Sequence, residues 1–288
     1  MRILILGLGN IGKTLAQQLR RDGHSVVGTT TTPAKVEDLG QYVDDVAVLM
    51  GHEQTKVADA ASGCDAIVVT VAPDVQKSRT VAEREAHYKE VLVDTCASAT
   101  TACPRVVFAS SFSVYGDGGV GDDPIDENTP CSNHEEPSSK YYQAAENVVL
   151  QSEAGCVLRF PDMYGAPGDM SYPDRVRLAH QYMGGKTIFG ADAPLYCIHY
   201  LDVVAAIAHA LRENLGGVFN VCDNDNLPHS NKLVFDAICD AEALERLEFL
   251  DQIKAPQRKI SAQKIYDTGY RVQHPDPNAD IVAKMLGS

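Results

Sequence analysis

Near the start of the chain, Gly7-Leu8-Gly9-Asn10-Ile11-Gly12 places glycines at the first, third and sixth positions of a six-residue stretch. It follows the apolar run 2–6 directly and opens a segment with helical spacing, residues 11–21. A strand-turn-helix unit is where that spacing has physical meaning. The first glycine permits the tight turn, the second lets a pyrophosphate approach the backbone, and the third lets helix and strand pack closely. The helix N-terminus adds unpaired N–H groups and a positive dipole end. The motif predicts that Gly7, Gly9, Asn10, Ile11 and Gly12 bind a nucleotide.

The rest of the first two thirds of the chain repeats this unit. Apolar runs at 25–29, 46–50, 66–71, 105–110 and 156–159 alternate with helical spacing at 52–61, 81–101 and 139–150. Alternation of this kind predicts an α/β, Rossmann-type doubly wound parallel sheet with helices on both faces. The expected nucleotide-binding domain is 1–165. Beyond it the pattern loosens into helical stretches at 173–183, 203–212 and 232–244 and a strand-like 217–221, read as a smaller C-terminal α/β substrate lobe over 166–288. Residues 198–212 are expected to weave back into the first domain. The long polar segment 116–137 reads as a functional loop.

Charge narrows the partners. With 25 Lys and Arg against 39 Asp and Glu, the net charge of −14 excludes a basic nucleic-acid groove. The longest apolar stretches, 67–72 and 203–208, fall far short of the roughly 20 residues that cross a bilayer, so no membrane partner is expected. Residues 1–6 read as a strand and not as a signal peptide. The eight cysteines form no C-x-x-C pair, which fits buried thiols in a cytoplasmic setting. No cluster has metal-ligand spacing, so no metal is expected.

The end of the second strand, Gly28-Thr29-Thr30-Thr31-Thr32-Pro33-Ala34-Lys35, lacks the carboxylate that would accept the ribose 2′-hydroxyl of NAD. Hydroxyls at Thr30 and Thr31 and the ammonium of Lys35 can receive a 2′-phosphate instead. The expected cofactor is NADP, with NAD as the alternative.

Several later stretches carry a resemblance. Val106 to Gly116 reads V-V-F-A-S-S-F-S-V-Y-G, Leu158 to Gly165 reads L-R-F-P-D-M-Y-G, and Ile198 to Val204 reads I-H-Y-L-D-V-V. With Gly217-Val218-Phe219-Asn220-Val221, Lys259-Ile260-Ser261 and Gly269-Tyr270, these resemble the atypical and extended short-chain dehydrogenase/reductase superfamily, NAD-dependent epimerase/dehydratase branch. The resemblance implies that Ser111 is the catalytic serine and hydrogen-bonds the substrate oxygen. It implies that Val71 and Ala72 line the cofactor, that Phe160 and Met163 flank the nicotinamide, and that Asp162 faces substrate. His199 and Asp202 are expected to hold the lobes together.

One element departs from that pattern. The family sets tyrosine and lysine four residues apart on one helix, so that both project from one face and the lysine lowers the tyrosine pKa. Here the helix reads Pro137-Ser138-Ser139-Lys140-Tyr141-Tyr142-Gln143-Ala144-Ala145-Glu146, with Ala145 and Glu146 where the lysine would follow either tyrosine. Aligned through Pro137 and Glu146, Ser138 takes the tyrosine position and Tyr142 the lysine position. Three alternatives stay open: Tyr141 or Tyr142 donates a proton, aided by Lys140 or Ser111; Tyr115, Tyr164 or His199 does so; or the protein is a non-catalytic NADP(H) sensor or scaffold. Residues 193–199 also lack an Arg that would hold a sugar-nucleotide diphosphate, although Arg175, Arg177 or Lys186 could supply charge from another direction. The favoured reading is an NAD(P)-dependent oxidoreductase or epimerase/dehydratase with a degenerate triad and a small carbonyl, hydroxyl or sugar-like substrate. The resemblance further implies a homodimer through the helices at 81–101 and 139–150.

Overall fold

The computed structural model describes residues 1–74, 78–133 and 135–287. In chain order the strands are β1 Arg2–Leu6, β2 Ser25–Thr30, β3 Asp45–Val48, β4 Ala66–Val69, β5 Arg105–Ser111, β6 Ala154–Phe160, β7 Asp162–Tyr164, β8 Lys186–Phe189, β9 Cys197–His199, β10 Gly217–Asn220 and β11 Glu248–Ile253. Seven of them form one parallel sheet in the order β10-β6-β5-β4-β1-β2-β3. The chain starts at β1, builds outward through β2 and β3, and then crosses to β4 on the other side. Ligands of open α/β sheets bind at such a switch point, beyond the carboxyl ends of the strands.

Both faces of the sheet are covered, which is why its strands read as continuous apolar runs. Along β1, Ile3 and Ile5 enter one core, and Leu4 and Leu6 the other. The first core lies under the helices Asn10–Arg21 and Tyr200–Arg212. The second lies under Gln54–Ala60, Pro137–Leu150 and a helical run begun by Val81–Tyr88, which a Thr80–Glu83 capping box starts. That run, expected as one helix at 81–101, widens into a π-turn at Lys89–Asp94 before resuming at Thr95–Ala102.

The sequence places residues 217–221 in the smaller lobe, whereas the structure pairs Gly217–Asn220 with Cys156–Arg159 as the seventh strand of the main sheet. The correction has a simple cause: strand pairing across 61 positions leaves no local pattern to read. The remaining C-terminal elements share a separate core. Tyr172–Met183, Asn231–Ala241 and Ala279–Leu286 bury Val176, Phe235, Ile238 and Val282 against the β8–β11 pair. Asp202, 1% exposed, accepts hydrogen bonds from the backbone N–H groups of Gln273 and His274 and pairs with His274 Nδ1 at 3.0 Å, fastening that segment to the helix Tyr200–Arg212.

Candidate active site

The glycine turn is clamped from both neighbouring strands. Gly7, at φ +104°, donates its N–H to Thr29 Oγ1 (3.0 Å), and Thr70 Oγ1 donates to the Gly7 carbonyl (2.9 Å). A Cβ on Gly12 would lie 2.1 Å from that carbonyl oxygen, so only glycine lets the helix start so close to β1. A Cβ on Gly9 would meet no atom within 4 Å: the backbone there faces open space. The helix Asn10–Arg21 begins at Gly9 with no side-chain cap bond and no acid in its first turn. Its donors and its positive end are therefore left for an anion, and the turn fits a dinucleotide's diphosphate. The Asn10 amide is engaged elsewhere, donating to the Pro167 carbonyl at 3.0 Å. Gly28 is a requirement the sequence reading missed, since a Cβ there would fall 2.3 Å from Leu8 Cδ1.

Beyond the turn, a cleft of about 460 Å³ opens at the carboxyl ends of β4 and β5. The structure brings Ile11, Val71, Ala72, Phe160 and Met163 together on its walls, along with Ser111, Asp162 and Tyr142. Thr30, the last residue of β2, and Thr31 and Lys35 just beyond it lie outside this cleft. Thr30 Oγ1 accepts the Thr32 N–H, while Thr31 and Lys35 are exposed, Lys35 on a short 3-10 turn, Pro33–Lys35.

Ser111 ends β5, half-buried. Its Oγ accepts the Ser113 N–H at 3.1 Å, capping the turn Phe112–Tyr115, and its own proton goes to no acceptor among the described residues. The two helix tyrosines part ways, because consecutive helix positions point about 100° apart. Tyr142 faces the cleft, its ring stacked on Phe108 with centroids 6.1 Å apart, and burial pushes its phenol well above the usual range. It stays a neutral phenol at physiological pH. Tyr141 packs against the second core and is not on the described walls of the cleft, with Lys140 Nζ 5.5 Å from its ring centroid. Lys140 is engaged with Glu85 (3.3 Å) and Glu135 (3.4 Å), so it assists neither tyrosine in the cleft.

The other candidate donors also lie elsewhere. Tyr115 is 2% exposed, donates to Asn220 Oδ1 (2.7 Å), accepts from Arg159 Nη1 (2.8 Å), and is pushed by burial up to about 12. Tyr164 donates to the Pro275 carbonyl (2.6 Å) and faces a different cavity. His199 caps the next helix by accepting the Leu201 N–H, and stacks on His274 with centroids 4.0 Å apart. Asp162 is paired with Arg175 (2.6 Å) and accepts from Tyr172 (3.2 Å). Arg177 pairs with Asp174 and Glu242, and Lys186 with Glu248.

Behind Ser111 lies a buried ion pair absent from the sequence reading. Arg159 on β6 makes a two-pronged contact with Glu146 (Nε to Oε1, 2.9 Å; Nη2 to Oε2, 2.6 Å), and Ser110 Oγ donates to the same Oε1 at 2.6 Å. Their side chains are 5% and 3% exposed. With the Tyr115 and Asn220 contacts, this network ties together the ends of β5, β6 and β10, next to the serine. An Arg inside an apolar strand and a Glu on the helix's buried face were the available signals, because such charges demand partners.

The parallel sheet with helices on both faces and a cleft at its switch point is a Rossmann-type, nucleotide-binding class of fold. Within it, residues 3–222 match the NAD dependent epimerase/dehydratase family, and the chain belongs to that family. Protein YeeZ of Escherichia coli K12 is 27% identical over 286 residues, covering 96% of this chain and 97% of YeeZ. Among solved structures, the Bordetella bronchiseptica enzyme WbmG in complex with NAD superposes with a TM-score of 0.74 at 19% identity, covering 100% of this chain and 93% of WbmG. The UDP-glucuronic acid 4-epimerase of Bacillus cereus, solved with a UDP-sugar and NAD, gives 0.73 at 16% identity over 99% and 100% of the two chains. Among the described residues, no helix is long and apolar enough to cross a membrane.

Proposed function

We propose that this chain is an NADP-preferring oxidoreductase or epimerase/dehydratase-type enzyme of its family, acting on a small carbonyl, hydroxyl or sugar-like substrate. The observation that carries the reading is the position of Ser111, whose uncommitted hydroxyl proton lies in the same cleft as the cofactor-lining Ile11, Val71 and Ala72. A bound nicotinamide would supply or accept hydride there. The Gly7–Gly12 turn holds the diphosphate, Thr30, Thr31 and Lys35 receive a 2′-phosphate, and Phe160 and Met163 flank the nicotinamide. Ser111 orients the substrate oxygen. Tyr142, kept neutral by burial, can donate a proton but does not act as a phenolate base. Residues of the smaller C-terminal lobe, built on the separate core of Tyr172–Met183, Asn231–Ala241 and Ala279–Leu286, close the substrate side, and the eight free thiols suit a cytoplasmic setting. Homodimerisation through the helices at 81–101 and 139–150 belongs to the same reading.

The test is steady NADPH consumption across a panel of small aldehydes and ketones. Turnover is expected with at least one member, and Ser111→Ala should lower it by about 10²–10³, the usual cost of losing one preorganised donor, with NADPH affinity unchanged. A flat panel would favour the second reading, a non-catalytic NADP(H) sensor or scaffold, to which the cleft also lends support because no lysine stands on its described walls.

A further inference from the structure

Three residues on the walls of the cofactor cleft, Tyr142, Ser111 and Phe160, each stand beside a member of the buried Glu146–Arg159 network. Ser110 and Arg159 are cross-strand partners on β5 and β6, and Ser111 and Phe160 are the next pair along. Tyr142 lies one helical turn before Glu146, so the two share a face of the helix Pro137–Leu150. The Glu146 carboxylate joins all three places. Its Oε1 accepts from Ser110 Oγ (2.6 Å) and Arg159 Nε (2.9 Å), and its Oε2 from Arg159 Nη2 (2.6 Å). A rotation of the helix that swings Tyr142 out of the cleft, or a slip of β5 against β6 that parts Ser111 from Phe160, must break at least one of these bonds.

Stability alone is a poor account of such a pair. Desolvating two charges costs about as much as their attraction returns, and well-packed apolar side chains of the same volume often serve stability equally well. Apolar contacts, however, have no preferred direction. Here every guanidinium nitrogen is directed: Nε and Nη2 to Glu146, and Nη1 to the Tyr115 hydroxyl (2.8 Å), which in turn donates to Asn220 Oδ1 on β10 (2.7 Å). Tyr115 ends the short turn Phe112–Tyr115 that Ser111 caps, so the chain on both sides of the serine is anchored to the same ion pair. Neither Glu146 nor Arg159 stands on the described walls of the cleft.

We propose that Glu146 and Arg159 are positioning residues, whose ion pair fixes the rotation of the helix Pro137–Leu150 and the register of β5 and β6 so that Tyr142, Ser111 and Phe160 meet in the cleft. The inference rests on the reading of Ser111 as the substrate-orienting hydroxyl.

A double-variant cycle tests it, using the best-turned-over member of a panel of small aldehydes and ketones with saturating NADPH. Ser111→Ala alone should lower kcat by about 10²–10³. In the Glu146→Leu, Arg159→Met background, which strands no buried charge, kcat should already be about 10–100-fold lower, and adding Ser111→Ala should cost less than tenfold more, because the hydroxyl is no longer held at the substrate oxygen. A pair that only stabilises the fold leaves the full contribution of the serine in place. Ser110→Ala is the milder variant: it keeps the ion pair, removes one bond to Oε1, and should lower kcat about 3–10-fold with NADPH affinity by calorimetry unchanged. No turnover by the wild type, or turnover indifferent to Ser111→Ala, overturns the parent reading and this one with it. The same 10²–10³ loss from Ser111→Ala in both backgrounds overturns this inference alone. Should the ion-pair variant fail to bind NADPH, Ser110→Ala decides, and an unchanged kcat there overturns the inference.

Discussion

Gly9 and Gly12 offer a paired experiment on the glycine turn. Adding a methyl group to Gly12 puts carbon 2.1 Å from the Gly7 carbonyl oxygen, closer by about 1 Å than real Cβ contacts allow. The turn must shift, and overpacking of this kind costs about 1–3 kcal/mol. For Gly9 the protein offers no obstacle. Its φ of −74° suits any residue and its Cβ direction is open, so the roughly 0.4–1 kcal/mol that alanine gains through the unfolded chain offsets the similar cost of alanine at a helix N-cap, and the apoprotein should keep its stability within about 1 kcal/mol. In a chain of this size the expected melting shifts are a few degrees downward for Gly12→Ala and close to zero for Gly9→Ala. The ligand reverses the ranking. On the proposed reading the diphosphate rests in the open space above Gly9, and losing one charge-assisted N–H bond to phosphate costs about 1.5–3 kcal/mol, or roughly 10–150-fold in affinity. Differential scanning fluorimetry of the apoproteins and calorimetric titration with NADPH separate the two effects. If Gly9→Ala bound NADPH like the wild type, the diphosphate would not sit against that backbone and the assignment of the turn would be wrong.

Three further outcomes follow from the same structure. Glu146→Gln leaves the Arg159 guanidinium buried without its counter-charge and should lower stability by about 3–5 kcal/mol in urea denaturation, whereas the Glu146→Leu, Arg159→Met double variant should recover much of it; a single-variant loss below 1 kcal/mol would contradict the pairing. Burial and the neighbouring His274 lower the His199 pKa below 6.5, so the unfolded chain binds more protons and stability, full above pH 6.5, falls as the pH drops through that value. Melting curves at stepped pH should show this fall, with a shallower slope in His199→Asn; an unchanged slope would remove His199 as a cause. Lys35→Glu should weaken NADPH at least tenfold and leave NADH unchanged, and equal effects on the two cofactors would mean that Lys35 does not read the 2′-phosphate.

The strands and the glycine turn were legible because they are local. An apolar run, three glycines and a helical stripe lie within the first 21 residues, and the structure builds β1 and its helix from them. What escaped depends on distant partners. Residues 217–221 look like any edge strand, and only their pairing with β6 decides which layer they join. Glu146 and Arg159 are separated by a helix end and a strand, so neither announces the other. Tyr141 and Tyr142 were interchangeable in sequence, and the helix's rotation about its axis, set by packing against Phe108, separates them.

The measurement that bears most directly on the whole account is calorimetric titration of the purified wild-type protein with NADPH and then NADH. Saturable heat with both, and tighter binding of NADPH, is the predicted result. No heat from either at millimolar concentration would contradict it.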